Sequence, residues 1–283
     1  MDFSRYASSG RFYTGAERKK GILINGERYI VKYAKGSPEG MTYSHVSEYL
    51  GSHLFEYAGI ETQQTMLGTC DQKTVVVIKD FLAEGETFVP FNDIGDSSLE
   101  RGRERYSYTY ESIIEMLKEN TKLTNVEETC ERFWDMYVVD AWIGNFDRHG
   151  ANWGFVKKEN QYRIAPVYDN GSSLFPKLNT DEKLMMVLES QAEIERRAFQ
   201  FPASQILLNG QKSSYHEVIN SLQYEECNKA LMRVYHRIEM PQVEQIVNGI
   251  EGITDIRREF YKKMLRIRYD KLLKEPYRKL TGE

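Results

Sequence analysis

The sequence predicts an α+β chain in two unequal lobes, a small antiparallel-sheet N-lobe followed by a larger helical C-lobe. Three observations lead there. Asn25-Gly26 sits between two apolar runs, and Asn-Gly supplies the two positive-φ positions of a type I′ hairpin turn. Helical spacing of apolar residues dominates from residue 109 onward. One hairpin pattern, residues 153–156 and 161–165 around a polar Lys-Lys-Glu-Asn turn, interrupts the helices.

The elements follow in order. Counting outward from a two-residue turn at Asn25-Gly26, Ile24 faces Glu27, Ile22 faces Tyr29, Lys20 faces Val31 and Lys19 faces Lys32. Residues 42–57 place Val46, Leu50, Leu54 and Tyr57 near helical spacing, and Gly59 stops that helix. Residues 62–67 and 73–81 read as strands and complete an N-lobe over residues 1–83. Residues 84–108 turn to Gly, Asp, Ser, Arg and Glu and read as a connector. The C-lobe takes residues 109–283. Thr124-Asn-Val-Glu127 fits a capping box and opens a helix through Phe133, Met136, Tyr137 and Ala141. Further helices are expected near 109–119, 214–222, 225–237, 241–249 and 254–275. Residues 171–214 are expected to line the acceptor side and carry no readable specificity code.

Composition narrows the function. The chain has 283 residues, 41% hydrophobic and 28% charged, which suits a folded core and excludes disorder. A net charge of -4 provides no global basic field, so nucleic-acid binding is not expected. The longest apolar run, residues 74–78, is far too short for a membrane span. Cys70, Cys130 and Cys227 are widely separated and form no CxxC, which argues against a disulfide framework or zinc site. Buried thiols in a reducing compartment and a cytoplasmic location are expected, with export lacking a cleaved signal as the alternative.

The segment Gly144-Asn-Phe-Asp147-Arg148-His149-Gly-Ala-Asn152-Trp-Gly154 follows a helix and precedes the hairpin, and Val167-Tyr-Asp169-Asn170-Gly171 follows it. Phosphoryl transfer from ATP needs a carboxylate to orient the attacking hydroxyl, and an amide oxygen with a second carboxylate to hold Mg²⁺. Asp147 and Asn152 have the D-x-x-x-x-N spacing of that machinery. Such a pair is common by chance. The context, with Asp169 brought back by the hairpin, carries the information. A kinase also needs a strand lysine for the phosphates, and Tyr29-Ile-Val-Lys32-Tyr33 supplies one. Lys19 opposite Lys32 is a repulsive pair that a bound polyphosphate would relieve.

The run Asp147-Arg148-His149-x-x-Asn152 followed by Asp169 resembles the catalytic loop of HipA-type serine/threonine kinases and, more distantly, of phosphatidylinositol 3- and 4-kinases. Ala165-Pro-Val-Tyr-Asp169-Asn-Gly-Ser-Ser173 resembles the HipA-type metal segment. The resemblance covers roughly residues 13–250 and implies a two-lobed protein-kinase-like fold, ATP and Mg²⁺ as cofactors, and a protein substrate with a hydroxyl acceptor. A start at Met1 leaves no room for the extra N-terminal subdomain of HipA toxins, so a compact, CtkA-type member is expected. By resemblance Asp147 is the catalytic base, and Asn152 and Asp169 are the Mg²⁺ ligands. Arg148 braces the loop, and His149 either packs there or shuttles a proton. Thr14, Gly15 and Ala16 occupy the place of the phosphate-covering loop. In this family a loop hydroxyl can be autophosphorylated, and Ser8, Ser9, Tyr13 and Thr14 are the candidates.

Other residues keep two readings. Glu48 either pairs with Lys32 or is a surface helix residue. Lys79 and Phe81, at the end of the last N-lobe strand, mark where a hinge would contact adenine through its backbone, and their side chains tell little. The basic stretch 255–271 is either a core helix with a solvated face or a surface for nucleic acid or anionic lipid. The rival functions are a lipid or small-molecule kinase and a nucleotide-binding pseudokinase.

Overall fold

The computed structural model describes residues 1–10, 18–93, 108–120, 123–208 and 210–283. Asn25 and Gly26 both take positive φ, 50° and 82°, as a type I′ turn requires. Strands β1 (Lys19–Ile24) and β2 (Glu27–Tyr33) pair antiparallel in the expected register, with Lys19 opposite Lys32. Two short strands, β3 (Gly36–Ser37) and β4 (Gly40–Met41), lead into helix α1 (Ser44–Tyr57). Strands β5 (Thr65–Cys70) and β6 (Lys73–Lys79) complete an antiparallel sheet ordered β1-β2-β6-β5.

Side chains alternate across a strand, and here the alternation sorts structure from chemistry. Val31, Tyr33, Val75 and Val77 face a small core with Phe3 and Ile22. The N-terminal residues close that core by bonding along the sheet, Phe3 N–H to Thr69 O at 2.7 Å and Leu23 N–H to Ala7 O at 2.9 Å. Lys32 points to the opposite face, toward α1, and is 8% exposed. A second, larger core runs from Leu50, Leu54 and Phe55 of α1 into the C-lobe, so α1 ties the two lobes together.

Strand β7 (Glu86–Pro90) lies inside the segment read as a connector. It pairs with β8 (Gly154–Lys158), which pairs with β9 (Gln161–Ile164), in a three-stranded sheet. β7 is short, at the sheet edge, and ends in a proline that only an edge tolerates. Its strand character depends on β8, which lies far away in sequence. Helices α2 (Tyr110–Glu119) and α3 (Val126–Ile143) fall where expected. The cap of α3 is shifted by one residue, because Asn125 accepts from Glu128 N–H at 3.1 Å. Thr124 instead donates to Tyr162 O of β9.

Residues 171–214 hold what the sequence did not reveal: α4 (Asp181–Leu188), α5 (Gln191–Phe199) and a hairpin of β10 (Ala203–Leu208) and β11 (Gln211–Ser214). Both helices are short and few of their residues are buried, so their periodicity is faint. Each is opened by a side-chain cap, Thr180 and Ser190. Helices α6 (Tyr215–Ser221), α7 (Glu225–Tyr235), α8 (Met240–Asn248) and α9 (Asp255–Tyr269) match expectation. A π-helical turn, Asp270–Lys274, then leads to α10 (Glu275–Thr281).

Most cations of α9 are engaged by other groups of the fold. Arg257 donates to Leu178 O at 2.7 Å and Arg268 to Ala141 O and Trp142 O, while Arg258 pairs with Asp255 and Arg266 with Glu244. Cations engaged in this way favour the core-helix reading over a nucleic-acid surface. The three cysteines are free, two buried and Cys130 half-buried. Among the described residues no helix is long and apolar enough to cross a membrane.

The lobes also meet where Arg257 lies 3.3 Å over the Tyr43 ring, which stacks near His45. Burial, then the Arg257 charge, holds the His45 imidazole down to about 4 from its ordinary 6.5. The folded protein therefore keeps His45 neutral where the unfolded chain protonates it, and stability falls as pH drops from 6.5 toward 4. Urea unfolding at pH 7 and pH 4.5 should show wild type losing about 2 kcal/mol more than His45→Gln. Equal acid losses in the two proteins would contradict it.

Candidate active site

Three segments meet on the face of the N-lobe sheet that carries Lys32. The first is the turn after α3. Asn145 is fully buried. Its Nδ2 donates to Asp140 Oδ1 at 2.8 Å and its Oδ1 accepts from Asp147 N–H at 3.1 Å. Asn152 Nδ2 donates to Asp147 O at 2.8 Å. The five-residue spacing thus closes a hydrogen-bonded loop that turns Asn152 Oδ1 away from Asp147. The Asp147 backbone is fixed while its side chain stays 40% exposed. His149 Nδ1 accepts from Ala151 N–H at 3.2 Å. A neutral ring then carries its proton on Nε2, 3.9 Å from Asp147 Oδ1.

The second segment, Tyr168-Asp169-Asn170, is returned by the β8–β9 hairpin. Asp169 Oδ1 accepts from Lys32 Nζ at 2.6 Å. The third is α1, whose Glu48 Oε2 accepts from the same ammonium at 2.8 Å. Glu48 is 1% exposed, which decides for the pairing role over the surface one. Its Oε1 accepts from Asn170 N–H at 2.8 Å and from Gln63 Nε2. Gly51 allows α1 this close, because a Cβ there would stand 2.7 Å from Asn170 Cβ.

Arg148 joins the segments. Its Nε and Nη2 bind Asp140 at 2.8 and 3.0 Å, its Nη1 donates to Asn152 O at 2.7 Å and to Tyr168 O, and Nη2 reaches Asn170 Oδ1 at 2.6 Å. One guanidinium thereby spaces Asn152 from Asp169. Burial works against the Arg148 charge, but Asp140 more than offsets it and the net shift favours the cation. At Asp169 burial pushes the carboxyl up. Lys32, with Arg148 and Lys19 behind it, outweighs burial and holds the carboxyl below its usual range. Lys19 thus contributes to the field at the site across the strand pair from Lys32.

The remaining expected residues divide. Phe81 is brought in, 6.3 Å from the Tyr168 ring and 6.2 Å from Phe88. Lys79 is not: strand alternation puts its side chain on the other sheet face, paired with Glu27 at 2.7 Å. Ser8 and Ser9 lie against β1, with Ser9 N–H bonded to Gly21 O. Tyr13, Thr14, Gly15 and Ala16 lie outside the described residues. Sequence reasoning missed Asp140, Asn145, Asn170 and Gln63. Asp140 had a signal, an acid within Val138-Val139-Asp140-Ala141-Trp142, where a buried charge demands a partner.

A family model described as the HipA-like C-terminal domain matches residues 13–247. The chain belongs to this family. It is 32% identical over 270 residues to the serine/threonine-protein kinase CtkA of Helicobacter pylori, covering 92% of this chain and 82% of that one. The crystal structure of the H. pylori proinflammatory kinase CtkA aligns with a TM-score of 0.93 at 28% identity, over 100% of this chain and 98% of that one. Shewanella oneidensis HipA, from a complex with HipB and operator DNA, aligns with a TM-score of 0.61 at 13% identity. That match covers 97% of this chain and 69% of HipA and shows the shared fold. The HipA-like chain is a kinase-type phosphotransferase with a two-lobed fold.

Proposed function

We infer that this HipA-like chain transfers the γ-phosphoryl group of ATP, in the presence of Mg²⁺, to a serine or threonine hydroxyl of a protein, its own loop included. One observation carries the reading: Lys32 Nζ is held between Glu48 at 2.8 Å and Asp169 at 2.6 Å. A lysine on an N-lobe strand, paired to a helix carboxylate beside a metal-segment Asp, is the arrangement phosphoryl transfer in kinases requires.

The donor set fits Mg²⁺. Asn152 Oδ1 and the Asp169 carboxylate are hard oxygen donors, and two protein ligands suit an ion that keeps waters and phosphate oxygens. Among the described residues no group of three or more His, Cys, Asp or Glu could hold a metal alone. When bound there, Mg²⁺ supplies charge neutralisation of the phosphates.

The chain's residues do the rest. Lys32 offers its ammonium to phosphate oxygens, oriented by Glu48. Asp147 aligns the acceptor hydroxyl and takes its proton. The acceptor oxygen forms a bond to the γ-phosphorus, while the bond from that phosphorus to the bridging oxygen breaks and its electron pair leaves with ADP. Arg148 fixes the spacing of Asn152 and Asp169. Ser8, Ser9 and Thr14 are the self-acceptor positions under this reading, and the phenol of Tyr13 falls outside it. Free cysteines fit a reducing, cytoplasmic setting.

A thermal-shift titration tests the nucleotide site. MgATP at 100 times its Kd should stabilise the chain by about 2.7 kcal/mol, raising Tm by about 5 °C. Asp169→Ala should remove the Mg²⁺-dependent part of that shift. A wild-type Tm indifferent to saturating MgATP would contradict the assignment.

A further inference from the structure

Away from the phosphoryl-transfer site, helices α2, α3 and α7 enclose a recess of about 680 Å³. That volume is ample for side chains of a bound ligand. Its floor is aromatic and apolar. Tyr110 stacks on Trp134 with centroids 5.3 Å apart and planes 3° from parallel, and Tyr224 leans on both at 5.2 and 5.8 Å. Ile114 and Val126 complete the apolar lining. The floor is preformed, because Tyr110 OH donates to Tyr137 OH at 2.6 Å within the core. Preformed floors lower the ordering cost of binding.

The rim is acidic. Glu111, Glu127, Glu131, Glu225 and Glu226 stand against Lys118 and Lys229, five carboxylates to two ammonium groups. Lys229 is already engaged by Glu225 and Glu226 at 3.0 and 2.8 Å. None of these residues belongs to the set around Lys32, Asp147 and Asp169. The floor does share a scaffold with that set: the Tyr137 ring lies 5.1 Å from Tyr215, whose OH donates to Asn145 O.

We propose that the recess is a docking site for a basic peptide segment of a protein partner, one with an apolar side chain flanked by Arg or Lys. Charge complementarity selects this occupant. The apolar side chain removes water from Ile114, Val126 and Tyr224, while the flanking cations meet the rim carboxylates. An acidic peptide or a nucleic acid meets like charge, and a bare polyamine leaves the floor wet. The proposal is independent of phosphoryl transfer, since docking requires no nucleotide.

Fluorescence anisotropy without nucleotide tests it, using fluorescein-labelled Gly-Arg-Arg-Leu-Arg-Leu-Gly, a version with Glu for every Arg, and a version with Ser for every Leu. The Arg-Leu peptide should bind, and combining Glu127→Gln, Glu131→Gln and Glu226→Gln should weaken it about tenfold. These side chains are exposed, and an unchanged Tm confirms folding of the variant. The Ser version should bind about tenfold more weakly, and the Glu version not at all. The Arg-Leu peptide should also slow alkylation of Cys130, which lines the recess and is half-buried where Cys70 and Cys227 are buried. The proposal is overturned by no binding up to about 1 mM. Equal affinity of the triple variant, or equal binding of the Glu version, overturns it too. Spermine competing at the peptide's own affinity would make the occupant a small polycation instead. The MgATP thermal shift reads a different site, so failure here and failure of the phosphotransfer reading are distinguishable.

Discussion

Asp140→Ala is expected to cost about 3–5 kcal/mol of folding stability, as breaking a buried ion pair on one side does. Asp140 is 1% exposed and Arg148 3% exposed. The carboxylate receives two guanidinium hydrogen bonds and the Asn145 amide. Alanine leaves a buried cation without its counter-charge and frees the turn that carries Asp147. Asp140→Asn keeps the shape and one acceptor oxygen, so it should lie between wild type and Ala. Urea unfolding of the three proteins reads the order directly. A loss below about 1 kcal/mol for Ala would show that this pair does not hold the loop.

Asp147→Asn carries the opposite signature. Its side chain is 40% exposed and the loop is held through the Asp147 backbone, so stability should change by no more than about 0.5 kcal/mol. Asparagine keeps the size but cannot take the acceptor proton, and the transfer rate should fall about 10³-fold. The MgATP thermal shift should survive, because Lys32, Asn152 and Asp169 are untouched. A variant that loses nucleotide binding along with transfer would place Asp147 in the binding apparatus and not in proton transfer.

What the sequence disclosed and what it withheld divide along a physical line. Local chemistry was legible. Asn25-Gly26 dictates its own turn, and two-residue counting then predicted the Lys19–Lys32 pairing that the structure contains. The spacing of Asp147 and Asn152, with Asp169 beyond a hairpin, was legible because the motif is contiguous. Elements that need a distant partner were not. β7 is a strand because β8 lies beside it, and α4 and α5 bury too few residues to show a period. The same holds within the site. Asp140 and Arg148 lie eight residues apart on opposite sides of a helix end, and their pairing emerges only when α3 and the turn are built. Lys79 shows the limit of position alone: it marks the strand end where a hinge backbone lies, and only strand alternation tells that its side chain faces the other way, toward Glu27.

The central claim is that Lys32, Asp147, Asn152 and Asp169 form one phosphoryl-transfer site. Radiolabel transfer from γ-labelled ATP addresses it most directly, with wild type and Asp147→Asn run side by side in Mg²⁺ and the labelled residues mapped. The account predicts label on serine or threonine hydroxyls in the wild type and none above background in the variant. Equal labelling of both proteins, or a wild type that binds MgATP and transfers nothing, would contradict it.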